Sequence, residues 1–124
     1  MFDATLLERE FRGIGGFGRE AQAFLPCGLS QEWWVEFDAD SPELDRALAE
    51  QANLDLPSRL EECDRKTGLF GCDKWVYLEL DGVASEQGRY GHMGWYWREL
   101  RVTKVLQVTR DVPAACEVRR LTSP

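Results

Sequence analysis

Residues 32–38, EWWVEFD, are the clearest strand in this sequence. Successive side chains of a strand point to opposite faces, so Trp33, Val35 and Phe37 share one face and belong in a core. Trp34 falls on the other face together with carboxylates, where it needs a covering segment or a ligand. The stretch therefore predicts a sheet with one fully buried face.

Two later stretches repeat this alternation. Residues 74–81 place aliphatic side chains on one face and aromatic or acidic ones on the other. The dipeptide Asp81-Gly82 then suits a bulge through which the strand continues. Residues 99–109 form a longer strand, interrupted at Lys104 by a second bulge. The apolar residues expected to face the core are Val76, Leu78, Leu80, Leu100, Val102, Leu106 and Val108.

The N-terminal part of the chain also predicts strands. Residues 4–12 look extended, and the glycines of residues 13–18, GIGGFG, fit a sharply bent or bulged strand better than a helix. A second strand is predicted over residues 20–25, before Pro26 and Gly28 mark a turn.

Two helices are predicted between these groups of strands. Ser41 is a suitable N-cap, with Pro42 at the first helical position. A buried stripe is expected from residues that recur at helical spacing, namely Leu44, Ala47, Leu48 and Ala52. A second, shorter helix is expected over residues 57–66, with Leu60 and Cys63 on its buried side and Gly68 at its end.

This order of elements predicts the fold class. We expect one domain over residues 1–124, mostly β within the α+β class. Its architecture is a small, OB-like barrel of five strands, with one or two helices inserted between the third and fourth strands.

Charge and hydropathy exclude some classes of partner. The chain has 15 basic and 22 acidic residues, a net charge of -7 and a pI near 4.7, which opposes binding to phosphate backbones. No apolar run has the length of a membrane helix, so we expect no membrane insertion. Residues 1–20 lack the apolar core of a signal peptide, which is the pattern of a cytosolic chain or of one whose signal has been removed.

The four cysteines point to an oxidising compartment. Cys63 and Cys72 flank a short segment that a local bridge can close, and Cys27 and Cys116 can link the two ends of the domain. Four cysteines allow three connectivities, and four reduced thiols remain the alternative. A zinc site is the weakest option, because the sequence has no Cys-x-x-Cys pair and a single histidine.

The most distinctive segment is residues 88–97, GRYGHMGWYW. Glycine permits tight turns and aromatic rings supply large, stiff contact surfaces, so this is a shaped loop that either binds a partner or packs as a corner. Strand alternation puts Trp95 and Trp97 on one face and Tyr96 on the other. The residues predicted to bind a partner are Trp34, Tyr90, His92, Trp95, Tyr96 and Trp97.

No catalytic constellation is visible. A lone histidine, His92, is more often a structural residue than a general base, and no nucleophile motif accompanies it. His92 and Met93 with a thiolate would suit Cu(I), but two adjacent ligands are a weak signal. We expect no enzyme activity, no cofactor and no bound metal.

The order of several short motifs carries a family resemblance. These are residues 25–28 (LPCG), 32–36 (EWWVE), 42–46 (PELDR) and 76–82 (VYLELDG). Over about residues 20–110 the chain resembles the C-terminal OB-like domain of envelope lipoproteins of the NlpE type, which are linked to copper tolerance and surface sensing. The resemblance implies a small barrel in an envelope setting and a bond between Cys27 and Cys116. The Cys-x-x-Cys of the other domain of those lipoproteins is absent, so their copper role is not carried over.

These observations predict a non-enzymatic binding module of an envelope or lipoprotein-like protein, with a protein or peptide partner. An extracytoplasmic location is favoured over the cytoplasm. The alternative is a cytosolic OB domain with reduced thiols that binds a ligand or oligonucleotide in a groove lined by Arg89, Arg98 and Arg101. A hydrolase would require a carboxylate or thiol beside the His92 ring.

Overall fold

The computed structural model describes residues 8–19, 21–68 and 71–116. Over these ranges the chain is mostly sheet with a few helices, as the sequence predicts. The elements are β1 (Arg9–Gly18), β2 (Gln22–Pro26), β3 (Trp33–Phe37), α1 (Pro42–Gln51), α2 (Leu56–Thr67), β4 (Cys72–Ala84) and β5 (Glu99–Thr109). The start of the first predicted strand, residues 4–7, and residue 20 of the second lie outside the described ranges.

The strands pair in the order β1-β2-β3-β5-β4, and β1 also pairs with β4. The β3–β5 pair is parallel, whereas the other four pairings are antiparallel. Parallel neighbours need a long crossover connection, and here that connection contains α1, α2 and β4. The β4–β5 connection, residues 85–98, joins two antiparallel neighbours and is free to project from the sheet.

The inward residues of β3 and β4 form the main core as predicted. Val35, Val76, Leu78 and Leu80 are fully buried, and Trp33 is almost so. Trp75 and Tyr77, predicted for the outer face of β4, are also buried. Trp75 belongs to a second cluster of apolar side chains. The cationic groups of Lys66 and Arg110 also lie over its ring. Both faces of β4 are therefore buried over residues 75–78.

Helix α1 begins as predicted, but its buried side differs at the C-terminal end. The Ser41 side chain accepts a hydrogen bond from the Leu44 amide, 3.2 Å away. Ala52 is exposed as the C-cap residue, which corrects its predicted place in the buried stripe. Gln51 is buried instead, because its amide bonds both the N–H and the C=O of Trp75 and so fastens the helix to β4.

Helix α2 ends at Gly68 as predicted, with a left-handed backbone there. Leu60 is 43% exposed, so its predicted burial is wrong. The buried side follows i,i+4 spacing through Arg59, Cys63 and Thr67, and Leu60 lies beside that stripe. The helix contacts β4 mainly through the Cys63–Cys72 pair and polar contacts, which leaves this leucine in solvent.

Two irregularities in β5 change which side chains face inward. Register shifts against β4 leave Thr103 and Leu106 as extra residues. Leu100, Val102 and Val108 face the core as predicted, but Leu106 is exposed and Val105 takes the inward position. The predicted single bulge at Lys104 is thus replaced by bulges on either side of it, and each one reverses the alternation.

The cysteines form two pairs at disulfide distance. Cys27 and Cys116 have a Cα–Cα distance of 4.7 Å, and Cys63 and Cys72 one of 5.8 Å. The first pair links the end of β2 to the segment after β5, and the second links α2 to β4. This is the connectivity that the family resemblance and the local spacing predict. Within the described residues, neither α-helix has the length or apolar character that crossing a bilayer requires.

Candidate functional site

The 88–97 loop continues the hairpin of β4 and β5 beyond the sheet. The amide of Gly88 donates to the carbonyl of Trp97 over 2.8 Å, and Tyr90 and Tyr96 exchange two backbone bonds of 2.9 and 3.2 Å. At its base, the Ser85 amide donates to the Glu99 carbonyl, and the Ser85 hydroxyl accepts from the Glu99 amide. A loop with this many backbone hydrogen bonds holds a defined shape.

The tip of the loop reverses through residues with positive φ. Gly91, Met93 and Gly94 have φ values of 69°, 59° and 65°. Such angles are easy for glycine and costly for a side chain such as that of Met93. The sequence therefore places glycine at two of the three positions that need it, and the third presents its methionine side chain to solvent.

The inner face of the loop rests on β3. The ring centroids of Trp34 and Tyr96 lie 5.4 Å apart, and the backbone of Gly91 approaches the Trp34 ring so closely that a Cβ there would overlap it. Trp34 also donates its indole N–H to Glu36. The predicted cover for Trp34 is thus the loop itself.

Two tyrosines complete this inner face. Tyr96 is buried. Desolvation is the main cause that raises the pKa of its phenol, and the negative charge of the nearby Glu32 raises it further. The half-buried Tyr90 donates its hydroxyl hydrogen to the carbonyl of Glu86 over 2.9 Å. Trp34, Tyr90 and Tyr96 therefore support the loop from below.

The outer face of the loop is exposed and apolar. Met93 is 70% exposed, Trp95 63% and Trp97 51%. The two tryptophans line a shallow cavity of 290 Å³ together with Tyr96, Arg89 and loop glycines, which we call the aromatic cleft. Large apolar side chains seldom remain exposed together on a rigid surface unless they bind something.

His92 lies at the edge of this surface. Its ring meets that of Trp95 edge-on, with 5.3 Å between centroids. In the part of the chain that the structure describes, no carboxylate or thiol is hydrogen-bonded to the His92 ring, and no group of three metal-ligating side chains occurs. The residue thus orients an aromatic ring, with no acid–base partner in these ranges.

A second cavity lies where the loop returns to the sheet. It measures 410 Å³ and is lined by the start of β1, the β2–β3 turn and the ends of β4 and β5. We call it the arginine groove, after Arg9 and Arg98 in its walls. The guanidinium of Arg98 lies 6.0 Å from the ring centroid of Trp33, which also lines the groove.

The structure divides the six predicted binding residues into supporting and exposed ones. Of the six residues predicted to bind, the structure brings all into one region, but only Trp95 and Trp97 are largely exposed. The contribution of Met93 was missed, although its position between glycines signals an exposed turn. The three arginines of the alternative hypothesis do not share a cavity: Arg89 lines the aromatic cleft, Arg98 the arginine groove, and Arg101 pairs with Asp38.

Comparisons with known proteins do not extend this description. No protein-family model matches the chain, and no curated protein or solved structure matches it either.

Proposed function

We propose that this chain is a non-enzymatic binding module whose 88–97 loop holds a polypeptide partner. The observation that carries the proposal is that the two faces of this loop differ: one is packed on the sheet and the other is exposed and apolar. Its inner face packs on Trp34, and its outer face exposes Met93, Trp95 and Trp97. Tryptophan and methionine are enriched at protein interfaces, and a rigid support reduces the entropy lost on binding.

The proposed fold behind this site is an OB-like barrel. Support comes from the strand order β1-β2-β3-β5-β4, from the ladder between β1 and β4, and from the helices between β3 and β4. In OB folds the loop between the fourth and fifth strands commonly contributes to ligand binding, and here it is the 88–97 loop that occupies this place.

A polypeptide suits this surface better than an oligonucleotide. OB domains that bind single strands combine stacking rings with a continuous basic groove. Here the three candidate arginines lie in separate places, and the chain carries a net charge of -7. The exposed tryptophans therefore favour a protein contact.

The setting that we propose is extracytoplasmic, as in the lipoprotein-like interpretation. Two cysteine pairs at disulfide distance support an oxidising compartment, because cytosolic thiols are kept reduced. A cytosolic OB domain with reduced thiols remains the second hypothesis. The thiol content of protein isolated from its native cells separates the two.

Binding can be tested with random peptides displayed on phage and selected on the full chain. Trp95→Ser and Trp97→Ser should each weaken the selected peptides at least tenfold, about 1.4 kcal/mol, with an unchanged melting temperature. Leu54→Ser is the matched control, since Leu54 is 51% exposed like Trp97 but lies between the helices. Unchanged affinity in both tryptophan variants, or loss of binding only through unfolding, would refute the proposal.

A further inference from the structure

The binding loop itself lacks carboxylates, although Glu86 and Glu99 flank it directly. Residues 87–98 contain Arg89, Arg98 and His92 and no aspartate or glutamate, although acidic residues outnumber basic ones by 22 to 15 overall. Because carboxylates lie on either side of this segment, attraction of a negatively charged partner requires a place where arginines line a cavity without acidic neighbours.

The arginine groove concentrates this charge on an aromatic wall. Arg9 and Arg98 line it together with Phe11, Trp33 and Gln31, and no acidic side chain is among its described lining residues. Arg9 forms no ion pair within the described ranges. Arg98 donates to the carbonyl of Ser85 over 2.8 Å, which holds it in place and leaves its other N–H groups for another acceptor.

The wall of the groove also holds a donor without an acceptor. The indole N–H of Trp33 is buried and has no hydrogen-bond partner among the described residues. A buried donor of this kind weakens the fold unless an acceptor reaches it. The two guanidinium groups of the groove, Arg9 and Arg98, are the groups that call for an acceptor carrying negative charge.

We propose that the partner of the 88–97 loop is an acidic segment of polypeptide, and that Arg9 and Arg98 bind its side-chain carboxylates in the arginine groove. This inference rests on the proposed function and adds the chemistry of the partner. Arginine clusters are the usual receptors for acidic motifs, whereas a terminal carboxylate is captured by successive backbone N–H groups. The groove offers guanidinium groups, which selects side-chain carboxylates.

Peptides selected on the full chain should accordingly be enriched in Asp and Glu beside apolar residues. Arg9→Gln should weaken them about fivefold, and raising the salt concentration should reduce the affinity of the native chain more than that of this variant. Arg9 is the first choice because it is exposed and its side chain forms no hydrogen bond or ion pair among the described residues. Arg98→Lys keeps the charge and tests the guanidinium geometry, with a loss expected.

Two controls separate this inference from the proposed function. Arg46→Gln makes the same change of charge on the exposed side of α1 and should leave affinity unchanged. Replacing each Glu of a selected peptide by Gln should cost the native chain about fivefold and the Arg9→Gln variant much less. If the tryptophan variants lose binding while neither Arg9→Gln nor the Gln peptides change affinity, the inference is wrong and the proposed function stands. If the tryptophan variants bind normally, the proposed function itself has failed.

Discussion

Gly91 is the residue on which the loop depends most directly. Its φ of 69° is unfavourable for a residue with a Cβ, and a Cβ there would also overlap the ring of Trp34. Gly94 has a similar φ of 65°, but a Cβ there would meet only the Cβ of Arg89 at an ordinary 3.5 Å. Comparing alanine substitutions at these two glycines therefore distinguishes the cost of the backbone angle from the cost of the overlap with Trp34 on β3.

We expect Gly94→Ala to destabilise the domain by about 1 kcal/mol, which is the cost of the left-handed angle alone. Gly91→Ala should cost about 2–3 kcal/mol, because the loop must also move away from Trp34. Denaturant unfolding measures both values. Equal losses in the two variants would show that the loop does not rest on Trp34.

At the scale of elements, the two cysteine pairs, when oxidised, should stabilise different parts of the fold. The Cys27–Cys116 pair spans 89 residues of sequence and links β2 to the chain after β5, whereas Cys63–Cys72 spans 9 residues and holds α2 on β4. Closing a longer loop removes more entropy from the unfolded chain.

Replacing Cys27 and Cys116 together by alanine should therefore lower the free energy of unfolding by about 4.5 kcal/mol. The same change at Cys63 and Cys72 should lower it by about 2.5–3 kcal/mol. Unfolding curves of the two double variants under oxidising conditions give the comparison. A larger loss from the short bridge would mean that its packing at the α2–β4 contact outweighs chain entropy.

The sequence predicts elements well where periodicity is strict. Trp33, Val35, Val76, Leu78 and Leu80 alternate without interruption, and all are buried. Predictions fail where tertiary contacts override the local pattern. The bulges of β5 turn Leu106 outward, because the pairing register of a strand does not follow from its local sequence. Leu60 stays in solvent because α2 contacts β4 mainly through polar groups, and the local sequence does not specify what a helix packs against.

The candidate site shows the same division. Alternation within residues 95–97 predicts that the tryptophans and Tyr96 face opposite ways; the tryptophans are exposed and Tyr96 is buried, although all three line the aromatic cleft. The supporting role of Trp34 and Tyr90 could not be predicted in this way. It depends on the parallel pairing of β3 with β5, which brings segments that are distant in sequence together. The arginine groove is likewise formed by the ends of several strands, so no local sequence pattern predicts it.

At the scale of the whole molecule, we propose that the partner binds the outer face of the 88–97 loop. The chain has five tryptophans, and each supplies one indole N–H signal in a proton–nitrogen NMR spectrum. Trp75 is buried and donates to Glu62, so its signal serves as an internal reference for the core.

The most direct test is to record these five signals while a selected acidic peptide is added to the full chain. We predict that the signals of Trp95 and Trp97 shift and saturate, while that of Trp75 stays in place. Saturating shifts at Trp75 with no change at Trp95 or Trp97 would place the partner elsewhere and contradict this assignment of the binding surface.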